Sequence, residues 1–235
     1  MFQFRPSDAR GKANFGWLDS KHSFSFGHYY DPNHMGFRNL RVINEDKVLP
    51  SKGFGTHGHK DMEIISYVIS GHLAHKDSMG NGSTIVRGDV QRMSAGTGVQ
   101  HSEFNASNSD LVHFLQIWIL PNRANHTPGY AERNFAGERH NTLRLLVSGD
   151  SGVDALSINA DIQLFGSELD EGQSLEHTFA TNRHGWVQVI SGSLTVSDGS
   201  LSQPLSSGDG LGISDVQTLT LTANSQCEFL LFDLP

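Results

Sequence analysis

Two short stretches of the chain concentrate residues able to hold a metal ion. In "GFGTHGHKDMEIISYVISG", residues 53–71, His57 and His59 stand two apart between a glycine-rich approach and a β-branched run. In "SAGTGVQHSEFN", residues 94–105, His101 and Glu103 repeat that spacing, again after a glycine-rich turn. Residues i and i+2 of an extended segment share a face, so each pair projects together. A β barrel or sandwich can aim both pairs at one interior point. Three neutral imidazoles and a carboxylate form an N3O set that Zn, Fe(II), Mn, Ni and Cu accept, whereas Ca and Mg prefer all-oxygen shells. Around a six-coordinate metal, four protein ligands leave two positions for substrate or dioxygen. A closed structural zinc site would draw on thiolates, and this chain has one cysteine, Cys227. Ligation needs neutral imidazole, so occupancy is expected to fall as pH drops through the unperturbed histidine range near about 6.5. Glu63 complicates the choice of carboxylate. It lies four residues past His59 and shares its parity along an unbulged strand, so spacing leaves Glu63 and Glu103 as rivals.

The elements that must position these residues read as strands. Short apolar runs ("LRVI", "EIISYVI", "FLQIWIL", "LRLLV", "WVQVI", "SLTV", "LTLTA", "FLLFDL") are separated by turn chemistry such as "INED", "SMGNG", "RGDV", "SDGS" and "SGDG". Many short strands at close spacing predict an all-β sandwich or barrel. A single helical turn is predicted near "PGYAERNF", after the Pro128-Gly129 break. The two halves also resemble each other. "YVISGHL" at 67–73 answers "QVISGSL" at 188–194, and "RGDVQRMS" at 87–94 answers "SGDGLGIS" at 207–214. This predicts two copies of one β unit, joined through a polar, irregular stretch at 122–141. Carried across by the first of these offsets, His57 falls on Thr178 and His59 on Ala180, so the second copy keeps the turns and loses the imidazoles. His177 and His184 have no His or Glu partner at i+2, and no second metal site is expected.

Bulk composition narrows the function. The 17 Lys+Arg against 25 Asp+Glu give a formal charge of −8, which repels a polyanion, and no basic run offers an exception. Direct nucleic-acid binding is therefore disfavoured, while a protein partner is compatible. One cysteine excludes a disulfide framework and fits a reducing compartment. Arg5, Asp8, Arg10 and Lys12 interrupt the N-terminal stretch before an apolar signal core could develop, and no apolar run approaches the roughly 20 residues needed to span a bilayer. A soluble, cytoplasmic protein is expected. There is neither a Gly-x-Ser-x-Gly elbow nor a phosphate-cradling glycine loop. Phe24 and Phe26 share parity and are read as core or inter-domain residues before pocket residues. His28, His34, His72, His75 and His113 are read as hydrogen-bonding or surface groups, and Cys227 as a buried inert thiol.

The pattern His57-x-His59-x3-Glu63 with Gly71, and Gly88 through His101-x3-Asn105, resembles the two motifs of the cupin superfamily, each imperfectly. Ser51 stands where a glycine is usual, and "SAGTG" replaces a shorter proline-glycine turn. More narrowly, "GWLDSKHSFSFGHYYDPNHMGFRNLRVINEDKVLP", "GFGTHGHKDMEIISYVISGHLAHKDSMGN" and "GDVQRMSAGTGVQHSEFN" closely resemble the pirin family of bicupins from about Arg10 to Pro121. Gly58 departs from that family, which commonly has proline between the paired histidines. The resemblance implies two tandem cupin domains: a metal-binding one at 1–121, a linker region at 122–141, and a degenerate one without a metal site at 142–235. It implies His57, His59, His101 and Glu103 as ligands of one divalent transition metal, iron foremost, with Cu, Mn, Ni, Co or Zn also compatible. It leaves Glu63 in a supporting role. It further implies quercetin 2,3-dioxygenase activity, in which a flavonol ring is opened with O2 and carbon monoxide is released, with Glu103 as a proton acceptor. The rival implication, from eukaryotic pirins, is a non-enzymatic metal- or redox-sensing regulatory adaptor that binds a protein partner.

Overall fold

The computed structural model describes all 235 residues. Its one helical segment is a 3-10 turn at Ser7–Ala9. All other regular structure is strand, arranged as four antiparallel-dominated sheets, two in each of two compact units. One unit comprises Gly11–Ala136 with Ile158–Ala160; the other comprises Met1–Arg10, Gly137–Ser157 and Asp161–Pro235.

In the first unit a seven-stranded sheet runs in the order Gly129–Asn134, Asp89–Ser94, Glu63–Ser70, Val112–Ile119, Leu40–Val48, Leu18–His22, Gly11–Asn14. A four-stranded sheet runs Gly53–His59, Val99–Asn105, His72–Asp77, Gly82–Val86. These are the two layers of a jelly-roll-like barrel. Alternation along each strand sends one set of side chains inward. At one end the interior is apolar, with Val48, Val68, Leu73, Ile85, Val112 and Phe114 packed together. Further along the same strands the inward residues turn polar, and there the candidate site forms.

The second unit repeats the plan. Its large sheet runs Phe2–Arg5, Gly210–Ile213, His184–Ser191, Cys227–Leu234, Gln163–Leu169, Arg144–Ser148, Leu156–Ser157, and its small sheet Ser174–Thr178, Thr218–Ala223, Ser193–Ser197, Ser202–Ser206. Its interior is filled by one apolar cluster that includes Val187, Val196, Leu219, Leu221, Phe229 and Leu231.

Three expectations change. The "PGYAERNF" stretch forms the strand Gly129–Asn134 rather than a helical turn, because its backbone groups are taken up pairing with Asp89–Ser94. The expected linker at 122–141 therefore contributes the edge strand of the first unit, and the expected 1–121 boundary shifts as well, since Met1–Arg10 groups with the C-terminal unit. The equivalence of the copies is also off by one. His57 pairs with His101 and His177 pairs with Leu219 in corresponding strands, so His57 answers to His177 and His59 to Phe179 rather than to Thr178 and Ala180. From His57 to the next strand there are five residues, 58–62, and from His177 there are six, 178–183, which changes the offset by one.

Candidate metal centre

The Gly53–His59 strand lies at the edge of the small sheet and carries a bulge. His101 faces His57, but two residues on Glu103 faces Phe54, leaving one extra residue on the histidine strand. A bulge bends its strand and re-aims side chains. Here it turns the Gly55 carbonyl back onto His57, whose Nδ1–H donates to that oxygen at 2.8 Å. The proton is thereby placed on Nδ1, and the Nε2 lone pair of His57 points inward.

Nε2 of His101 lies 3.1 Å from Nε2 of His57 and 3.0 Å from Nε2 of His59. Three ring nitrogens converging in this way cannot all satisfy one another by hydrogen bonding, since each contact needs one donor and one acceptor. A cation satisfies them together. His57, His59 and His101 would hold such an ion through these nitrogens. His57 and His59 are half-buried and His101 is buried. Burial, then the neighbouring His57, pushes the pKa of His59 down to about 4; burial and the other imidazoles push His101 down to about 3. Both rings are therefore neutral well below the pH near 6.5 expected from unperturbed histidine.

Glu103 is buried at the same cavity. Ser66 Oγ–H donates to its Oε1 at 3.2 Å and Gln116 Nε2–H to its Oε2 at 2.8 Å. Burial raises its pKa, opposed in part by Gln116 and by the nearby histidines. Its carboxylate oxygen, His101 and His75 form a second cluster of donor atoms, all within 4.8 Å of one another, as are those of His57, His59 and His101. The sequence had set His75 aside, yet it is fully buried behind the site. It donates from Nε2 to Asp77 Oδ2 at 3.3 Å, and its Nδ1 lies 3.5 Å from Nδ1 of His101. Burial alone would raise the Asp77 pKa, but hydrogen bonds from Asn81, His75 and the Met79 amide hold it below the usual range. The available signal was parity: His75 and Asp77 share a face with Leu73, a core residue.

Glu63 does not line this cavity. The chain breaks from extended geometry between the two strands, with Asp61 at φ 50°, so the parity that linked Glu63 to His59 is not transmitted. Glu63 is buried elsewhere, accepting from Ser94 Oγ at 2.7 Å and Asn159 Nδ2 at 3.1 Å. Phe24 is a core residue, but Phe26 lines the metal cavity and meets Trp118 edge-on at 5.3 Å. No helix is long and apolar enough to cross a membrane.

Comparison with known proteins agrees with this geometry. Residues 3–119 match the Pirin family model, and residues 145–234 match that of the quercetinase C-terminal cupin domain. The chain is 44% identical over 235 residues to the quercetin 2,3-dioxygenase of Escherichia coli (strain K12), covering 100% of this chain and 99% of that protein. It is 39% identical to a pirin-like protein of Caulobacter vibrioides, covering 99% of each. Its structure is similar to that of the bacterial pirin YhhW from Escherichia coli in complex with nickel(II), with TM-score 0.94, 44% identity and coverage of 100% and 99%. The paired cupin folds and these full-length likenesses place the chain in the pirin family.

Proposed function

We propose that this protein is a metal-dependent dioxygenase that opens the flavonol ring of quercetin or a related compound with O2 and releases carbon monoxide. His57, His59, His101 and Glu103 are the proposed ligands of one divalent transition metal. The observation that carries the reading is the convergence of the Nε2 atoms of His57 and His59, at 3.1 and 3.0 Å, on that of His101, beside a buried carboxylate, in a cavity. Relatives named for the same activity support it. A regulatory adaptor would need no such cavity.

When bound, a divalent metal lowers the pKa of a coordinated hydroxyl and so favours the flavonolate. The protein's own contribution is to orient and to accept a proton. Gly55 O fixes the His57 tautomer, and His75, itself held by Asp77, stands behind His101. Glu103, the buried carboxylate at this cavity, takes the flavonol 3-hydroxyl proton on a carboxylate oxygen not held by the metal. Gln116 and Ser66 hold that carboxylate in place. Trp118 and Phe26 supply apolar walls that limit water.

The test is to follow oxygen consumption and carbon monoxide release with quercetin after loading with Fe, Ni, Cu, Mn or Co. Turnover is expected with at least one metal, and Glu103→Gln is expected to lower it by about 100-fold or more while the thermal unfolding curve stays cooperative. Absence of turnover with every metal rejects the enzyme; full activity in Glu103→Gln rejects the role of Glu103.

A further inference from the structure

The space around the three imidazoles is small, about 70 Å³. A three-ring flavonol needs several times that, since pockets for ligands of this size measure roughly 300–1,000 Å³. A neighbouring cavity of about 480 Å³ supplies the room. The two adjoin, with Phe26, Asn44, Asp46 and Phe54 lining both.

The larger cavity is walled by flat and apolar groups, among them Phe15, Leu18, Phe26, Tyr29 and Phe54; besides Lys12 and His28 it has a buried polar corner. Pairing of Leu18–His22 with Leu40–Val48 builds that corner, setting Ser20 opposite Asp46 and His22 opposite Asn44. All four side chains are buried, between 2% and 5% exposed. Ser20 Oγ–H donates to Asp46 Oδ1, and Ser20 Oγ shares a 2.8 Å hydrogen bond with His22 Nε2. Asn44 Oδ1 is buried without any hydrogen-bond partner. A buried amide oxygen in that state is rare and costs stability unless a donor reaches it. Nothing in the proposed chemistry at the metal uses this corner. Its acceptors, set at one end of an aromatic slot, match a planar ring bearing hydroxyl donors.

We infer that this cavity seats the phenolic ring of the substrate remote from the metal, with Asn44 Oδ1 and the Asp46 carboxyl accepting hydrogen bonds from its hydroxyl groups. The polar corner is thus a specificity determinant that favours flavonols hydroxylated on that ring. Burial, together with the charges of Glu103, Glu45 and Asp19, pushes the Asp46 pKa up to about 7 despite the Ser20 hydrogen bond, which suits a carboxyl that shares a proton with a phenol. The inference rests on the flavonol reading above and adds which part of the molecule goes where.

Equilibrium binding, followed by quenching of tryptophan fluorescence in metal-free and nickel-loaded protein, tests it. The probes are quercetin and galangin, a flavonol with no hydroxyl on the remote ring. The expected result is about tenfold tighter binding of quercetin. Asn44→Leu should reduce quercetin affinity to that of galangin and leave galangin unchanged. Ser20→Ala, a smaller change that releases Asp46, should narrow the preference at least threefold even if the Asn44 variant misfolds. His57→Ala should abolish turnover yet retain the preference in the metal-free protein. Equal affinities in the wild type, or a preference untouched by Ser20→Ala, overturn the inference and leave the dioxygenase reading standing. Preference without turnover under any metal does the reverse.

Discussion

The two β units fill the same interior positions with opposite chemistry. Ser66 opposite Gln116 in the first corresponds to Val187 opposite Leu231 in the second. His75 opposite Glu103 corresponds to Val196 opposite Leu221, and His101 opposite His57 corresponds to Leu219 opposite His177. Five of those six second-unit residues belong to its apolar core cluster. His177 alone keeps an imidazole, and its Nε2 is hydrogen-bonded to Asp233 at 2.8 Å, where Arg183 also binds. The barrel therefore stands without any polar layer. Burying histidines and a glutamate in its sister opposes stability unless each is hydrogen-bonded or paired. The first unit arranges this by surrounding Glu103 with Ser66 and Gln116 and by backing His101 with His75 and Asp77. What differs between the units is chemistry placed on a common scaffold.

The largest effect expected from this comparison concerns metal. His101→Ala should reduce binding from one ion per chain to none by elemental analysis, a loss beyond the roughly 10- to 100-fold typical of removing an outer partner. His177→Ala should leave the count at one. Two ions per wild-type chain, or loss on changing His177, breaks the distinction between the units.

A second, smaller effect concerns pH. In the folded metal-free protein His59 and His101 titrate at about 4 and about 3, below their value in the unfolded chain. The unfolded state therefore binds more protons below the usual histidine range. Stability from these two groups is complete above about pH 6.5 and is lost progressively as pH falls toward 3. The melting temperature of metal-free protein should fall over that window, and His101→Leu, which installs the residue found in the second unit, should flatten the fall. An identical pH profile for variant and wild type sinks the assignment.

The smallest effect tests the bulged strand. Gly58, between the two histidines, corresponds by register to Thr178. A Cβ at Gly58 would meet only the Val99 carbonyl oxygen, at 3.8 Å, in ordinary contact. Gly58→Thr should raise stability by about 0.4–1 kcal/mol through the unfolded chain, read by denaturant midpoint, with metal affinity unchanged. A loss of affinity would show that glycine is needed for the aim of the histidines.

Legibility followed local against non-local information. Turn residues and alternation marked the strands, and the two i, i+2 pairs marked the imidazoles, because both signals lie within a few residues. Glu63 misled because parity holds only while the strand continues, and the left-handed Asp61 ends it. Parity with Leu73 could have marked His75 as inward-facing, but its place beside Glu103 depends on pairing between two strands, a register that no local pattern prints. Gly129–Asn134 reads as irregular for a similar reason: its sequence is polar, and its strand form comes from the neighbour it pairs with.

The edge strands carry a consequence for how the molecule is made. In the first unit the position beside Asp89–Ser94 is filled by Gly129–Asn134, which follows soon after in the chain. In the second unit the matching position, beside Gly210–Ile213, is filled by Phe2–Arg5. A ribosome releases that opening segment almost the whole chain before its partner exists, so it must stay unattached while the entire metal-holding unit is synthesised. A gene cut between the halves would yield a C-terminal fragment with a bare sheet edge, the kind of surface that recruits foreign strands. The second barrel closes on that side only when residues 2–5 reach residues 210–213.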